Sequence, residues 1–293
     1  MKLAPYKSRL ARSFVAAGGD SFGGSAAFSI VLALLGAGRV SGLEWDRPVR
    51  LKTNHFEPGQ NFGKLVADDV LDLLNLSSDP VEALSILKQV SRANEKTFLQ
   101  LRGELLLTLA AYEEHRFETA FIHFYRVLER VSISLPVIYA QGEIRFEKTL
   151  EFFKSLIGTE KAGELSVLNK FITTAQPFSS SAGSYITLDL SFATRMQIDA
   201  VQKQFEHILF KEIVPSVGFD PTTDTAEIEI EKFHRVIIVA RNKMFHYTHQ
   251  KANFDMAVCG GGSVMCRCLV GAGLTWFATF YTSLLNKIIL ARA

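Results

Sequence analysis

Residues 269–290 are the stretch that most constrains the fold: 22 residues carrying a single charge, Lys287. A run of that length and composition can cross a bilayer, so the chain must place it in lipid or bury it in protein. Two features favour burial. Thr275, Thr279, Thr282, Ser283 and Asn286 are spread along the run. Trp276, Phe280, Leu284 and Ile288 recur every fourth residue, as on the inward stripe of a bundle helix. We therefore expect a core helix and no membrane span; a membrane-associated protein is the alternative.

A core helix of this kind needs helical partners, and residues 77–293 supply the periodicities for them. Ser77-Ser78-Asp79-Pro80 reads as a helix start, with Asp79 as cap and Pro80 at the first helical position. The pattern then runs to about Tyr112, bent or broken near Asn94. A second helix is expected over 114–134, where Phe117, Phe121, Phe124, Leu128 and Val131 step by four, three, four and three; Pro136 should end it. Further helices are expected over 143–157, 161–174 and 189–213, with a Pro/Ser/Gly loop over 176–184. Asp224 and Glu227 resemble a capping box opening a helix over 225–249. The expected fold class is mainly α: a helical bundle over 77–293 preceded by a small mixed or helical N-terminal module over 1–76. In that module, 25–35 and 65–74 read as helix and 48–52 as a short strand.

Composition narrows the function classes. At 48% hydrophobic residues the chain can fill a core, and a net charge of +2 gives no basis for bulk attraction to nucleic acid. Lys2, Lys7, Arg9 and Arg12 precede an apolar run, but Gly18-Gly19-Asp20 and Gly23-Gly24 intervene, so no signal peptide is expected. Cys259, Cys266 and Cys268 are odd in number and clustered. That argues against a disulfide framework and for a reducing, cytoplasmic compartment.

The chemistry concentrates in Arg241-Asn242-Lys243-Met244-Phe245-His246: a fixed cation, an amide and a titratable imidazole within six residues. On a helical wheel with Arg241 at zero, His234 falls at about 20°, His249 at about 80°, Asn242 at about 100°, Arg235 at about 120° and His246 at about 140°. One arc thus gathers candidate catalytic residues Arg241, Asn242 and His246 with candidate substrate-binding residues Arg235, His249 and His234. Phe233, Val236, Ile237, Ala240, Met244 and Tyr247 occupy the opposite arc, the expected core face. Ile238 and Phe245 lie among the polar residues, as a half-buried groove or a self-association face requires. Asn242 and His246, four apart, are neighbours on the helix surface.

R-N-x-x-x-H late in a helical domain resembles the signature of the HEPN superfamily: an arginine, four to six residues of which the first is often Asn, Asp or His, then a histidine. A second string agrees. Tyr125-Arg126-Val127-Leu128-Glu129 is similar to the Y-R-x-L-E found on an earlier long helix in several HEPN groups. The HepT-type subgroup extends its motif to His-x-Tyr; here Tyr247 follows His246 directly and Thr248 takes the expected place. The resemblance spans residues 80–293. It implies a metal-independent endoribonuclease, without cofactor, acting as a homodimer through the motif helix, with RNA as substrate and a protein partner or antitoxin. Toxin or antiviral defence is the context it implies. It equally admits a non-catalytic binding or assembly subunit, because many members of the superfamily only bind or dimerise.

The residues also allow plainer readings. Glu129 is placed to bridge Arg241 from the earlier helix, making both structural. His246, His249, Cys259, Cys266 and Cys268 include H-x2-H and C-x-C spacings, but no C-x2-C pair, so buried free thiols rather than a zinc site are expected. Gly59-Gln60-Asn61-Phe62-Gly63-Lys64-Leu65 has three residues between its glycines and Leu65 after the lysine, and so fails as a phosphate loop.

Overall fold

In the computed structural model, the described residues are 2–4, 25–41, 47–56, 80–140, 146–157, 164–178, 183–245, 253–255 and 262–292. They form a mainly α-helical fold. In chain order the elements are β1 (Lys2–Ala4), α1 (Ala26–Leu34), β2 (Gly38–Ser41), β3 (Val49–Leu51), α2 (Pro80–Ala93), α3 (Glu95–Glu113), α4 (Phe117–Ala140), α5 (Phe146–Ile157) and α6 (Glu164–Ala175). Then come β4 (Tyr185–Asp189), α7 (Arg195–Gln204), β5 (Thr225–Glu229), α8 (Ile230–Phe245) and α9 (Ser263–Leu290). A π-helical turn over Phe205–Phe210 and a short turn over Lys211–Ile213 extend α7.

α9 is the expected core helix. Trp276, Phe280 and Leu284 are fully buried, and Ile288 nearly so. The opposite side is buried too, through Phe277, Tyr281 and Leu285. The helix is long and apolar enough to cross a membrane, yet 78% of its most apolar window is covered by protein. Its hydroxyls make this burial tolerable: Thr275, Thr279 and Thr282 each donate to the carbonyl four residues back, at 3.3, 3.2 and 2.8 Å.

The described N-terminal elements pack into the same core. Ser25 caps α1, its Oγ accepting from Phe28 N at 3.2 Å, and α1 is apolar apart from Ser29, whose buried hydroxyl donates to Ala26 O at 2.7 Å, as suits a largely enclosed helix. It ends in a Schellman turn: Ala37 N donates to Leu32 O (2.9 Å) and Gly36 N to Ala33 O (3.0 Å). Gly36 has φ 74°, and a Cβ there would lie 2.8 Å from Thr53 O, so glycine is required twice over. β1, β2 and β3 form an antiparallel sheet in that order, with Val40 opposite both Leu3 and Val49. The chain leaving β3 is tied to α3, because Glu113 Oε1 accepts from Lys52 N at 2.7 Å and Thr53 N at 3.0 Å. The expected helix over 65–74 and the glycine stretch at Gly59 lie outside the described residues.

The break at Asn94 separates α2 from α3, with the Asn94 amide donating to Val90 O at 3.0 Å. Two expectations need correction. Pro136 does not end its helix; it lies inside α4, which continues to Ala140. A proline removes one ladder bond, and burial of Leu135, Ile138 and Ala140 on either side offsets that loss. Helix over 189–213 and 225–249 was too broad, because strands β4 and β5 precede the helices. They pair antiparallel from Tyr185↔Glu229 to Asp189↔Thr225, turning Ile186, Leu188, Ala226 and Ile228 inward. Asp224 is consequently no cap. It takes a positive φ of 54° in the turn before β5, and its carboxylate accepts from Arg195 at 3.0 Å and Gln202 at 3.2 Å. The capping box belongs to α7, where Thr194 N donates to Gln197 Oε1 at 3.1 Å.

Two glycines separate packing from propensity. A Cβ at Gly273 would collide with the Phe124 ring, whose Cζ would lie 2.8 Å away, whereas a Cβ at Gly103 within α3 meets nothing within 4 Å. Gly273→Ala should therefore destabilise by about 1–3 kcal/mol through overpacking of α4 against α9. Gly103→Ala should stabilise by about 0.5–1 kcal/mol. Urea denaturation of both variants checks the opposite signs.

Candidate functional site

α8 carries the motif, and its two ends are held differently. At its start, Trp276 Nε1 donates to Ile230 O at 2.8 Å, so the buried helix α9 holds the first residue of α8. Phe233, Val236, Ile237 and Ala240 face the core as the wheel requires. At its end the chain folds back: Phe254 N donates to Lys243 O at 3.3 Å, and the Phe254 ring packs near Phe205. Lys243 is nearly buried and its ammonium meets Glu212 at 3.3 Å. Lys243 is not among the sequence candidates, although the wheel puts it beside Val236 at the edge of the core face. Met244, expected in the core, is only half-buried.

The expected polar arc divides. Arg235, Asn242 and Phe245 are exposed and Arg241 is half-buried. His234 departs from the expectation: it is 1% exposed, its Nε2 lies 3.1 Å from Asn169 Oδ1, and its ring tilts against Trp276 at 6.1 Å. Its wheel position borders the core arc, and packing of α9 and α6 on that border encloses it. Burial, with the neighbouring Arg235 charge adding to it, lowers its pKa to about 4, so it is a neutral core histidine at pH 7. His246 and His249 lie outside the described residues.

Arg241 finds its α4 neighbour one turn before Glu129. Its guanidinium carbon lies 4.7 Å from the centroid of the Tyr125 ring, and its Nη1 donates to Asn242 Oδ1 at 3.2 Å. Phe245 stacks on Phe121 at 6.3 Å, so α8 and α4 make two aromatic contacts a turn apart. Arg241 is thus oriented by a cation–π contact, which keeps its charge while restricting its plane. The sequence signal for this contact is the Y-R-x-L-E string itself, whose tyrosine reads more readily as helix packing than as part of a site.

Cys266 and Cys268 are buried free thiols on α9. Burial pushes Cys266 up to about 12 and Cys268 higher still, so neither is a thiolate at neutral pH. Cys259 lies outside the described residues. Among the described residues no group of three His, Cys, Asp or Glu side chains is assembled for a metal.

The buried His234 gives the fold an acid sensitivity. Its pKa of about 4 when folded lies below the ordinary imidazole value of 6.5, so the unfolded chain binds the proton first. Its contribution to stability is complete above about pH 6.5 and is lost as pH falls towards 4, amounting to roughly 2 kcal/mol at pH 5. His55, lowered to about 3 by burial, acts in the same direction. Urea midpoints at pH 7.5 and 5 should fall accordingly in the parent chain. They should fall less in His234→Gln, where only the His55 part remains; an equal fall in both would show that His234 does not carry the effect. Comparison with protein-family models, with curated proteins and with solved structures found no match for this chain.

Proposed function

We propose that the chain is a metal-independent endoribonuclease of HEPN type, acting on RNA as a toxin or defence effector in the cytoplasm. The observation that carries the reading is the stack of Arg241 on Tyr125. The two strings that resemble the HEPN pattern are far apart in the chain, and they touch. Exposed Asn242 and Phe245 lie beside that contact, at the end of α8 that leads into His246.

In this reading the ribose 2′-oxygen attacks the adjacent phosphorus, the bond from phosphorus to the 5′-oxygen breaks, and a 2′,3′-cyclic phosphate remains. His246 takes the 2′-hydroxyl proton, a task suited to an imidazole with a pKa near neutrality. Arg241 stabilises the charge that builds on the phosphoryl oxygens, and Asn242 orients the imidazole or an oxygen. Arg235 and His249 hold flanking phosphates. His234, being buried, has no substrate role. A second copy, meeting the first through α8, supplies the histidine that protonates the leaving oxygen. One observation favours a second reading, a non-catalytic HEPN-like binding or assembly subunit: Arg241 is half-buried and already engaged by Tyr125 and Asn242, as a packing arginine is.

Cleavage of a mixed RNA pool by the purified chain in EDTA separates the two. Wild type should leave 2′,3′-cyclic phosphate ends. His246→Ala should lose about 10²–10⁴-fold in rate, and Arg241→Ala a comparable amount. Cleavage that persists in His246→Ala removes the mechanism. A wild-type chain that dimerises without cutting any RNA establishes the assembly reading instead.

A further inference from the structure

Away from α8, a cavity of about 430 Å³ opens between α3, β4, α9 and the chain leaving β3. That volume falls within the range of small-molecule sites, which begins at about 300 Å³. Segments distant in sequence converge on it: His55, Tyr112, Thr187 with Asp189, and Arg267.

Arg267 organises one wall. Its guanidinium lies 3.9 Å from the Phe192 ring centroid and 5.5 Å from that of Phe117, and it is half-buried. The rings fix its plane, and among the described residues no carboxylate pairs with it. A fixed, partly desolvated and unneutralised guanidinium favours a planar or tetrahedral anion. The neighbouring groups add donors, not a second charge. Burial raises the Tyr112 hydroxyl, so it stays protonated and can donate. Burial keeps the His55 imidazole neutral, with one N–H. Gly271 leaves room for the Tyr112 hydroxyl at the cavity, since a Cβ there would stand 2.9 Å from Tyr112 Oη. Asp189 also lines the cavity; it is exposed on β4 and is ion-paired with no described residue, and its Oδ1 accepts from Ser191 N at 2.8 Å. The lining therefore carries one fixed positive and one negative group.

The geometry points to a binding site for a small organic anion, its carboxylate or phosphate on Arg267 and a hydrogen-bond donor of the same ligand on Asp189. This site is separate from α8 and does not rest on the ribonuclease reading.

Isothermal titration of the full chain with AMP and with L-glutamate tests it, one probe carrying phosphate and the other carboxylate. At least one should bind with submillimolar Kd. Arg267→Gln should weaken that probe by about tenfold or more, the loss expected for a hydrogen bond to a charge. Thr187→Trp, at an exposed strand position on the cavity rim, should block binding without touching Arg267, and it keeps the test readable if Arg267→Gln melts early by circular dichroism. Absence of binding by both probes overturns the site, as does binding that survives either variant in a folded chain.

Discussion

The arrangement of the fold depends on enclosing α9, because among the described elements it is the one long and apolar enough to cross a membrane. Four of the elements around it are located by a specific handle on that helix. Trp276 fixes the start of α8 through Ile230 O, and Tyr281 fixes α1 by donating to Ala27 O at 3.0 Å. Lys287 closes the end of α6, its ammonium donating to Ala175 O at 2.9 Å and Gln176 O at 2.7 Å, where a helix presents unpaired carbonyls and partial negative charge. Gly273 lets Phe124 of α4 come into contact. Lys287, the one charge of residues 269–290, is thus part of the enclosure, and the two buried aromatic polar groups become positional bonds instead of desolvation penalties.

The same enclosure explains which parts of the fold are legible in the sequence. Where a residue's environment is set by its own helix, periodicity suffices: α1, the break at Asn94 and the inward stripe of α9 follow from spacing. Where a neighbour decides, it does not. Pro136 continues a helix because flanking side chains are buried. His234 sits on the boundary between arcs, and only the packing of α6 and α9 turns that boundary inward. β4 and β5 are legible in hindsight, since Tyr185-Ile186-Thr187-Leu188-Asp189 and Thr225-Ala226-Glu227-Ile228-Glu229 alternate with period two. Five-residue alternations beside strong helical patterns are easily absorbed into the helix, and each strand needs its distant partner to be stable.

For the candidate site, the individual residues were legible but their division was not. Arg235, Arg241 and Asn242 lie where the wheel places them. Tyr125 and Lys243 become important only through contacts between elements: the first orients Arg241, and the second anchors the end of α8 through Glu212. Neither contact has a sequence spacing, because the partners lie far apart along the chain.

These anchors bear on function in a way the motif alone does not. α8 is held by α9 at its start, by Glu212 and the returning Phe254 backbone at its end, and by Tyr125 and Phe121 along its flank. A side chain that must meet a phosphate needs its backbone held to within a fraction of an ångström, and helices restrained at both ends provide that better than loops do. An assembly surface needs the same rigidity, so anchoring cannot choose between a nuclease and a binding subunit. The stack on Tyr125 restrains the plane of the Arg241 guanidinium without removing its charge, which serves a phosphate contact and a packed assembly surface equally.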